Sequence, residues 1–302
     1  MKTTTSLRTA CSLAALLIIT ACGGGGGGGG GPEPTVTTMS APASAKYSDS
    51  VLVTLTGTNL DSGLTVASPG CKNMTRSTAA PNASDALTAY YTCTASAAGV
   101  QTLTAARASD GAVLKTADVA VPVPKVTMTV SNAIGTFNGT LEFTLAPDKT
   151  PVTVDNFLRY VKEDFYPNTV FHRVARTTAL SPWAIQAGAR LSTAPTRTVN
   201  APIALEVGRG MSNTQWTVAM ARTSDPNSAT FQFFVNLVDN QSFLDPAGTN
   251  AGYAVFGTVS ASSGVVATSI STSPCTALTG VTTSPDCTPD PYMVITSAVQ
   301  TQ

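Results

Sequence analysis

Phe171-His172-Arg173-Val174, read with Gln186 and with Ser228-Ala229-Thr230-Phe231-Gln232-Phe233-Phe234, puts one guanidinium and two side-chain amides among aromatic residues. A guanidinium does not give up its proton, so it is a poor base and a good fixed donor. The sequence sets no second titrating partner beside it. Such a set suits a reaction that needs a hydrogen bond and an apolar wall and no nucleophile. Rotation about an X–proline amide is a reaction of that kind.

Five motifs stand in order along the chain. They are Phe171-His172-Arg173-Val174, Ala219-Met220-Ala221-Arg222-Thr223, the run from Ser228 to Phe234, Phe243-Leu244-Asp245, and Gly252-Tyr253-Ala254-Val255-Phe256-Gly257. In that order they resemble the bacterial cyclophilins, a family of peptidyl-prolyl cis–trans isomerases, over about residues 126–299. An ordered set is far more specific than any one short string.

The resemblance implies a closed eight-stranded antiparallel barrel with a helix over each end, and so a mainly β chain. It implies Arg173 as the donor to a twisted amide, Gln186 as the grip on the substrate backbone, and Phe234 beside them. It implies a proline pocket walled by Trp183, Ala184, Met220, Phe234, Phe243 and Leu244. Ala221 and the backbone of Arg222 would pair with the extended substrate. His172, Gln232 and Tyr253 would edge the site as substrate-binding residues, with His172 holding the barrel more than touching substrate. No cofactor is implied. Proline-containing polypeptides are the implied partners, with a cyclosporin-type cyclic peptide as a further ligand.

Several residues depart from the pattern. Nine residues, 174–182, separate Arg173 from Trp183, more than the resemblance implies. Trp183 and Ala184 stand where Phe and Met are usual, and Trp216 where a glycine is expected. A proline-binding scaffold with little turnover is therefore carried as an alternative to an active isomerase.

The elements that position these residues are read from periodicity. Gly139-Thr140-Leu141-Glu142-Phe143-Thr144-Leu145 alternates as a strand does. Thr150-Pro151 starts a helix with a hydroxyl cap and proline in the first turn. Val154, Phe157, Leu158 and Val161 give that helix one apolar face. A second helix is expected over about 264–270, and a last strand over 293–298.

Ahead of this region, residues 35–121 read as short strands rich in β-branched and aromatic residues. Turn signals stand at Asn59-Leu60-Asp61-Ser62-Gly63, Ser68-Pro69-Gly70 and Asp110-Gly111. They predict a β-sandwich over 35–124 that resembles bacterial immunoglobulin-like modules, without their buried Trp, and that serves as spacer or docking module. The cyclophilin-like part then takes 125–302, after the stiff joint Pro122-Val123-Pro124.

The first 21 residues read as an address label. Lys2 and Arg8 precede an apolar run too short for a membrane span. Ile19-Thr20-Ala21-Cys22 resembles a bacterial lipobox, which implies lipidation of Cys22 after cleavage. Nine glycines come next, a tether of about 15–18 Å root-mean-square span. Gly23, and not aspartate, after the lipidated residue implies the outer membrane, facing the periplasm. Without residues 1–21 the chain has 15 basic against 17 acidic side chains, and no basic patch points to nucleic acid.

Four cysteines remain, two in each half, which suggests the disulfides Cys71–Cys93 and Cys275–Cys287 and an oxidising compartment. A metal site is disfavoured, because the spacings are wrong and His172 is the only histidine. The excursion between Cys275 and Cys287 lies far in sequence from the pocket motifs, so its crosslink is expected to serve stability alone. A third reading, an adhesin-like lipoprotein working through its first module, also stays open.

The anchor can be tested directly. Cys22→Ser is expected to abolish lipid attachment and move the protein from the membrane fraction to the soluble fraction on cell fractionation. Undiminished membrane association of that variant would contradict the reading.

Overall fold

The computed structural model describes residues 32–190, 197–278 and 284–302. Cys22, its tether and the leader lie outside the described residues. Glu33–Gln302 form one compact unit.

Seven strands come first: β1 Thr35–Ser40, β2 Ser50–Thr58, β3 Leu64–Ala67, β4 Cys71–Arg76, β5 Thr88–Ala95, β6 Gly99–Arg107 and β7 Val113–Val121. They form two antiparallel sheets, β1-β2-β5-β4 and β3-β6-β7. Strict alternation decides their faces. Val51, Val53 and Leu55 of β2 and Ala89 and Tyr91 of β5 are buried, as are Leu103 and Ala105 of β6. Cys71 and Cys93 are bonded across the neighbouring strands β4 and β5, with Cα atoms 5.6 Å apart. The crosslink therefore lies within one sheet and does not bridge two.

Ten strands and three helices make up the rest of the described residues. The strands are β8 Lys125–Asn132, β9 Asn138–Leu145, β10 Thr169–Arg176, β11 Pro182–Arg190, β12 Thr217–Met220, β13 Phe233–Asn236, β14 Val255–Val259, β15 Cys275–Ala277, β16 Cys287–Pro289 and β17 Met293–Gln300. Hydrogen bonding runs β11-β13-β12-β14-β9-β8-β17-β10, and β10 pairs again with β11. That second pairing closes eight strands into a barrel and removes its free edges. The short ribbon β15–β16 hangs outside, joined to β10.

The barrel is filled from within by Val126, Met128, Val130, Phe143, Phe171, Val218, Phe233, Val235 and Phe256, all buried. The rings of Phe143, Phe157 and Phe233 meet edge to face with centroids 5.6–6.1 Å apart. That geometry adds to the gain from burial alone. Helix α1, Pro151–Lys162, supplies Phe157 and Leu158 to this core from its apolar face. Helix α3, Ala261–Thr272, packs against β9 and buries Ala267 and Ile270. It begins three residues earlier than its apolar residues suggest, because the Ser260 hydroxyl accepts the Ser263 amide and caps it. A one-turn helix, α2 Gln241–Leu244, was not expected. Trp216 takes a left-handed backbone, φ 63°, which accounts for the glycine anticipated there.

Buried apolar residues of both parts belong to one cluster, and polar contacts also join them. Lys162 Nζ lies 2.8 Å from the Asp49 carboxylate, Lys46 Nζ donates to the Gln300 carbonyl, and Gln300 Nε2 donates to the Tyr47 carbonyl. Lys72 pairs with Asp155 of α1.

The hydroxyl cap expected on α1 is not formed. Thr150 Oγ1 donates back to the Ala146 carbonyl, at 3.4 Å, and makes no cap. The cap comes instead from Glu206, far along the chain. Its Oε2 accepts the Thr153 amide at 2.8 Å and the Thr153 hydroxyl at 2.9 Å. Glu206 is buried, and its charge faces the positive end of the helix, where an anion is stabilised. Glu206→Ala would strand two buried donors. It is expected to lower the unfolding free energy by about 1–3 kcal/mol, read from denaturant midpoints. An unchanged midpoint would contradict this assignment.

Candidate active site

The site is on the outer face of the barrel, and a β-bulge puts it there. In the β10–β11 ladder Phe171 faces Ala187 and Arg173 faces Gln186, so His172 is an extra residue with no partner. In a regular strand Phe171 and Arg173 would share a face. The bulge breaks that rule. Phe171 stays in the core, while Arg173 comes out beside Gln186. Alternation then resumes: Val174 and Ile185 point in, and Ala175 and Ala184 point out.

Outside the barrel a small second apolar cluster forms from Ala175, Ala184, Ala219, Phe234, Leu244 and Val255. It floors a pocket of about 180 Å³ whose lining includes Arg173, Trp183, Gln186, Ala221, Arg222 and Tyr253. No described residue of this lining is a Ser, Cys, His, Lys or carboxylate. The walls are therefore apolar with two guanidinium groups and an amide at the rim.

Arg173 is fixed on three sides. Its Nε donates to Asp286 Oδ2 at 2.8 Å, and Nη1 donates to Gln186 Oε1 at 3.1 Å. Gln186 Nε2 in turn donates to Gln232 Oε1 at 2.8 Å. The guanidinium also lies 5.9 Å from the Trp183 ring centre. Across the pocket the Arg222 guanidinium stacks 4.4 Å from the Tyr253 ring and donates through Nε to the Gly252 carbonyl. Tyr253 meets Phe234 edge to face at 5.6 Å.

Arg173, Trp183, Ala184, Gln186, Ala221, Arg222, Phe234, Leu244 and Tyr253 thus line one pocket. Gln232 sits one step back, holding Gln186. Phe243 is half exposed at the rim, its ring against Trp183 at 5.3 Å.

Three expectations need correction. Met220 is not in the pocket wall. It lies in the barrel core with Val218, because β12 alternates: Ala219 faces out, as does Ala221 one residue past the strand's end. His172 does not line the pocket either; it is the bulged residue, and burial pushes its imidazole pKa down. Arg173 does have a titratable partner, Asp286, which comes from the excursion closed by Cys275–Cys287. Asp286, at the described end of that excursion, is therefore not remote from the site. The extra residues 174–182 are absorbed by lengthening the β10–β11 hairpin, with Arg176 facing Pro182 and a turn at 177–181. Asp286 carried no signal in the sequence; Ala219 could have been found by extending the alternation of β12.

Residues 125–298 match the family model described as cyclophilin type peptidyl-prolyl cis-trans isomerase. That match takes in more than half of the chain, and the chain belongs to this family. It is 46% identical over 121 residues to a peptidyl-prolyl cis-trans isomerase of Acinetobacter baylyi, over 40% of this chain and 61% of that one. It is 42% identical over 121 residues to peptidyl-prolyl cis-trans isomerase A of Dickeya dadantii, covering 40% of this chain and 60% of the relative. Peptidyl-prolyl cis-trans isomerase B of Escherichia coli is 45% identical over 115 residues, 37% of this chain and 66% of its own. The chain thus spans about three fifths of the length of the first two of these relatives.

Proposed function

We propose that the chain is a peptidyl-prolyl cis–trans isomerase acting on proline-containing segments of exported proteins. The observation that carries this is a guanidinium fixed at the rim of an apolar pocket with no nucleophile in its described lining. The X–Pro amide rotates over a barrier of about 18–20 kcal/mol, because conjugation must be broken. Twisting returns the lone pair to the proline nitrogen. A donor there binds the twisted amide better than either planar form, so it lowers the barrier and does not merely tighten binding.

The pocket's parts divide the work. Phe234, Leu244 and Ala184 offer the proline ring an apolar seat, and Trp183 covers one side. Arg173 is the donor, held by Gln186 and Asp286. Among the described residues its Nη2 makes no hydrogen bond and is the nitrogen left for substrate. Arg222 and Ala221 lie where an extended substrate would run. No cofactor takes part in this scheme. A cyclosporin-type cyclic peptide would compete for the same seat.

The location belongs to the same proposal. A chain lipidated at Cys22 and tethered by glycines would hold the barrel off the outer membrane within the cell envelope. The immunoglobulin-like reading of residues 35–124 assigns that part to spacing or docking. Two disulfides fit an oxidising compartment.

Arg173→Ala should lower turnover of Ala-Pro peptides by about 10²–10³-fold while the chain stays folded by circular dichroism. Arg173→Lys should also be poor, because an ammonium cannot reproduce the planar fork. Wild-type turnover in the alanine variant would refute the assignment. A wild-type chain that binds proline peptides without isomerising them would be a scaffold.

A further inference from the structure

We propose that Asp286 is a positioning residue for Arg173, and that the Cys275–Cys287 disulfide holds Asp286 in place. This rests on the isomerase reading above for its kinetic arm, and on geometry alone for the rest. The Asp286 carboxylate is nearly buried, with 9% of its side chain exposed, against 36% for Arg173. Each oxygen has its own donor. Oδ2 takes Arg173 Nε and Oδ1 takes the Arg176 amide, both at 2.8 Å. One carboxylate therefore grips the strand at two points, at a side chain and at the backbone three residues on.

The ribbon that carries Asp286 is a strap over β10. Cys287 faces Val174 in the ladder, and the Thr288 hydroxyl donates to the His172 carbonyl at 2.8 Å. Asp286, Cys287 and Thr288 thus each contact the stretch 172–176, which begins at the bulge. β15 and β16 are three residues each, paired from Cys275↔Pro289 to Ala277↔Cys287. The disulfide joins these two short strands, with Cα atoms 5.7 Å apart. Cys287 is buried and adjacent to Asp286, so the crosslink acts one peptide bond from the carboxylate.

A guanidinium is a fixed donor, and Asp286 adds no chemistry to it. It sets its direction. With Nε engaged by Asp286 and Nη1 by Gln186, the plane of the fork is fixed and Nη2 is left over. Remove the carboxylate and the plane can turn about its stem, while the apolar seat for proline is untouched. A donor displaced by about 1 Å can lose about 10²-fold in rate. The loss should therefore fall on kcat and leave KM nearly alone.

The test uses the full chain and two readouts: kcat and KM on an Ala-Pro peptide, and the NMR resonance of the Arg173 Nε–Hε group. Asp286→Asn keeps the volume and one acceptor. It should lower kcat by about 10- to 100-fold with KM within about twofold, and the Hε proton should lose its protection from exchange. Asp286→Glu should recover part of kcat. In an Arg173→Ala background, Asp286→Asn should add no further loss. Cys275→Ser/Cys287→Ser should shift kcat and the Hε signal in the same direction at a temperature where the barrel remains folded. An Asp286→Asn chain with wild-type kcat and an unchanged Hε signal would overturn the proposal. So would a loss that adds in full to that of Arg173→Ala. If the wild-type chain shows no turnover, the isomerase reading fails, and the Hε signal alone decides the positioning.

Discussion

Everything at the pocket depends on one extra residue in β10. His172 is bulged out of the β10–β11 ladder, so Phe171 and Arg173 face opposite sides of the barrel wall. Without it, the alternation that buries Phe171 would bury Arg173 too. A lone buried guanidinium is strongly unfavourable, because its solvation is lost and nothing in an aromatic core replaces it. The bulge reconciles a closed, aromatic-filled interior with a polar donor on the outside. Bulges commonly serve this purpose at the rims of functional sites.

The same wall then has two characters. Its inner face carries Phe171, Ile185, Phe233, Val235 and Val218, packed with the rings of Phe157 and Phe256. Its outer face at the pocket carries small residues, Ala175, Ala184, Ala219 and Ala221, with Phe234 among them. Alanine leaves room, and the concavity is the space that larger side chains would fill. Around that space the polar groups are tied to one another: Gln232 to Gln186, Gln186 to Arg173, Arg173 to Asp286. In the proposed reaction such a chain would hold its donor in place before substrate arrives, as stabilising a charge shift in a transition state requires.

The motif residues were legible in the sequence because they cluster in short strings; the closed barrel followed from the family those strings resemble, while alternation marked only single strands. Nine of the named pocket residues do line one cavity. The features it hid depend on pairing between distant segments. Met220 sits inside a recognisable string, but its face is set by β12's neighbours, which turn Val218 and Met220 inward. The bulge at His172 is a property of two strands together and leaves no trace in one. Glu206 caps α1 from about fifty residues away, where a local rule had pointed to Thr150. Asp286 stands on a ribbon with little apolar content, so no periodicity marks it. In each case the partner that decides the outcome is remote in the chain.

The proposed function requires that the outer face of the barrel at Arg173 speed rotation of an X–Pro amide. Two-dimensional NMR exchange spectroscopy on an Ala-Pro peptide with a small fraction of the full chain tests it most directly. Uncatalysed exchange takes tens to hundreds of seconds. Cis–trans cross-peaks are expected within a sub-second mixing time. Saturating peptide is also expected to shift the resonances of Arg173, Gln186, Ala221, Phe234 and Leu244. Peptide that perturbs other residues, or that binds at this pocket with no cross-peaks, would contradict it.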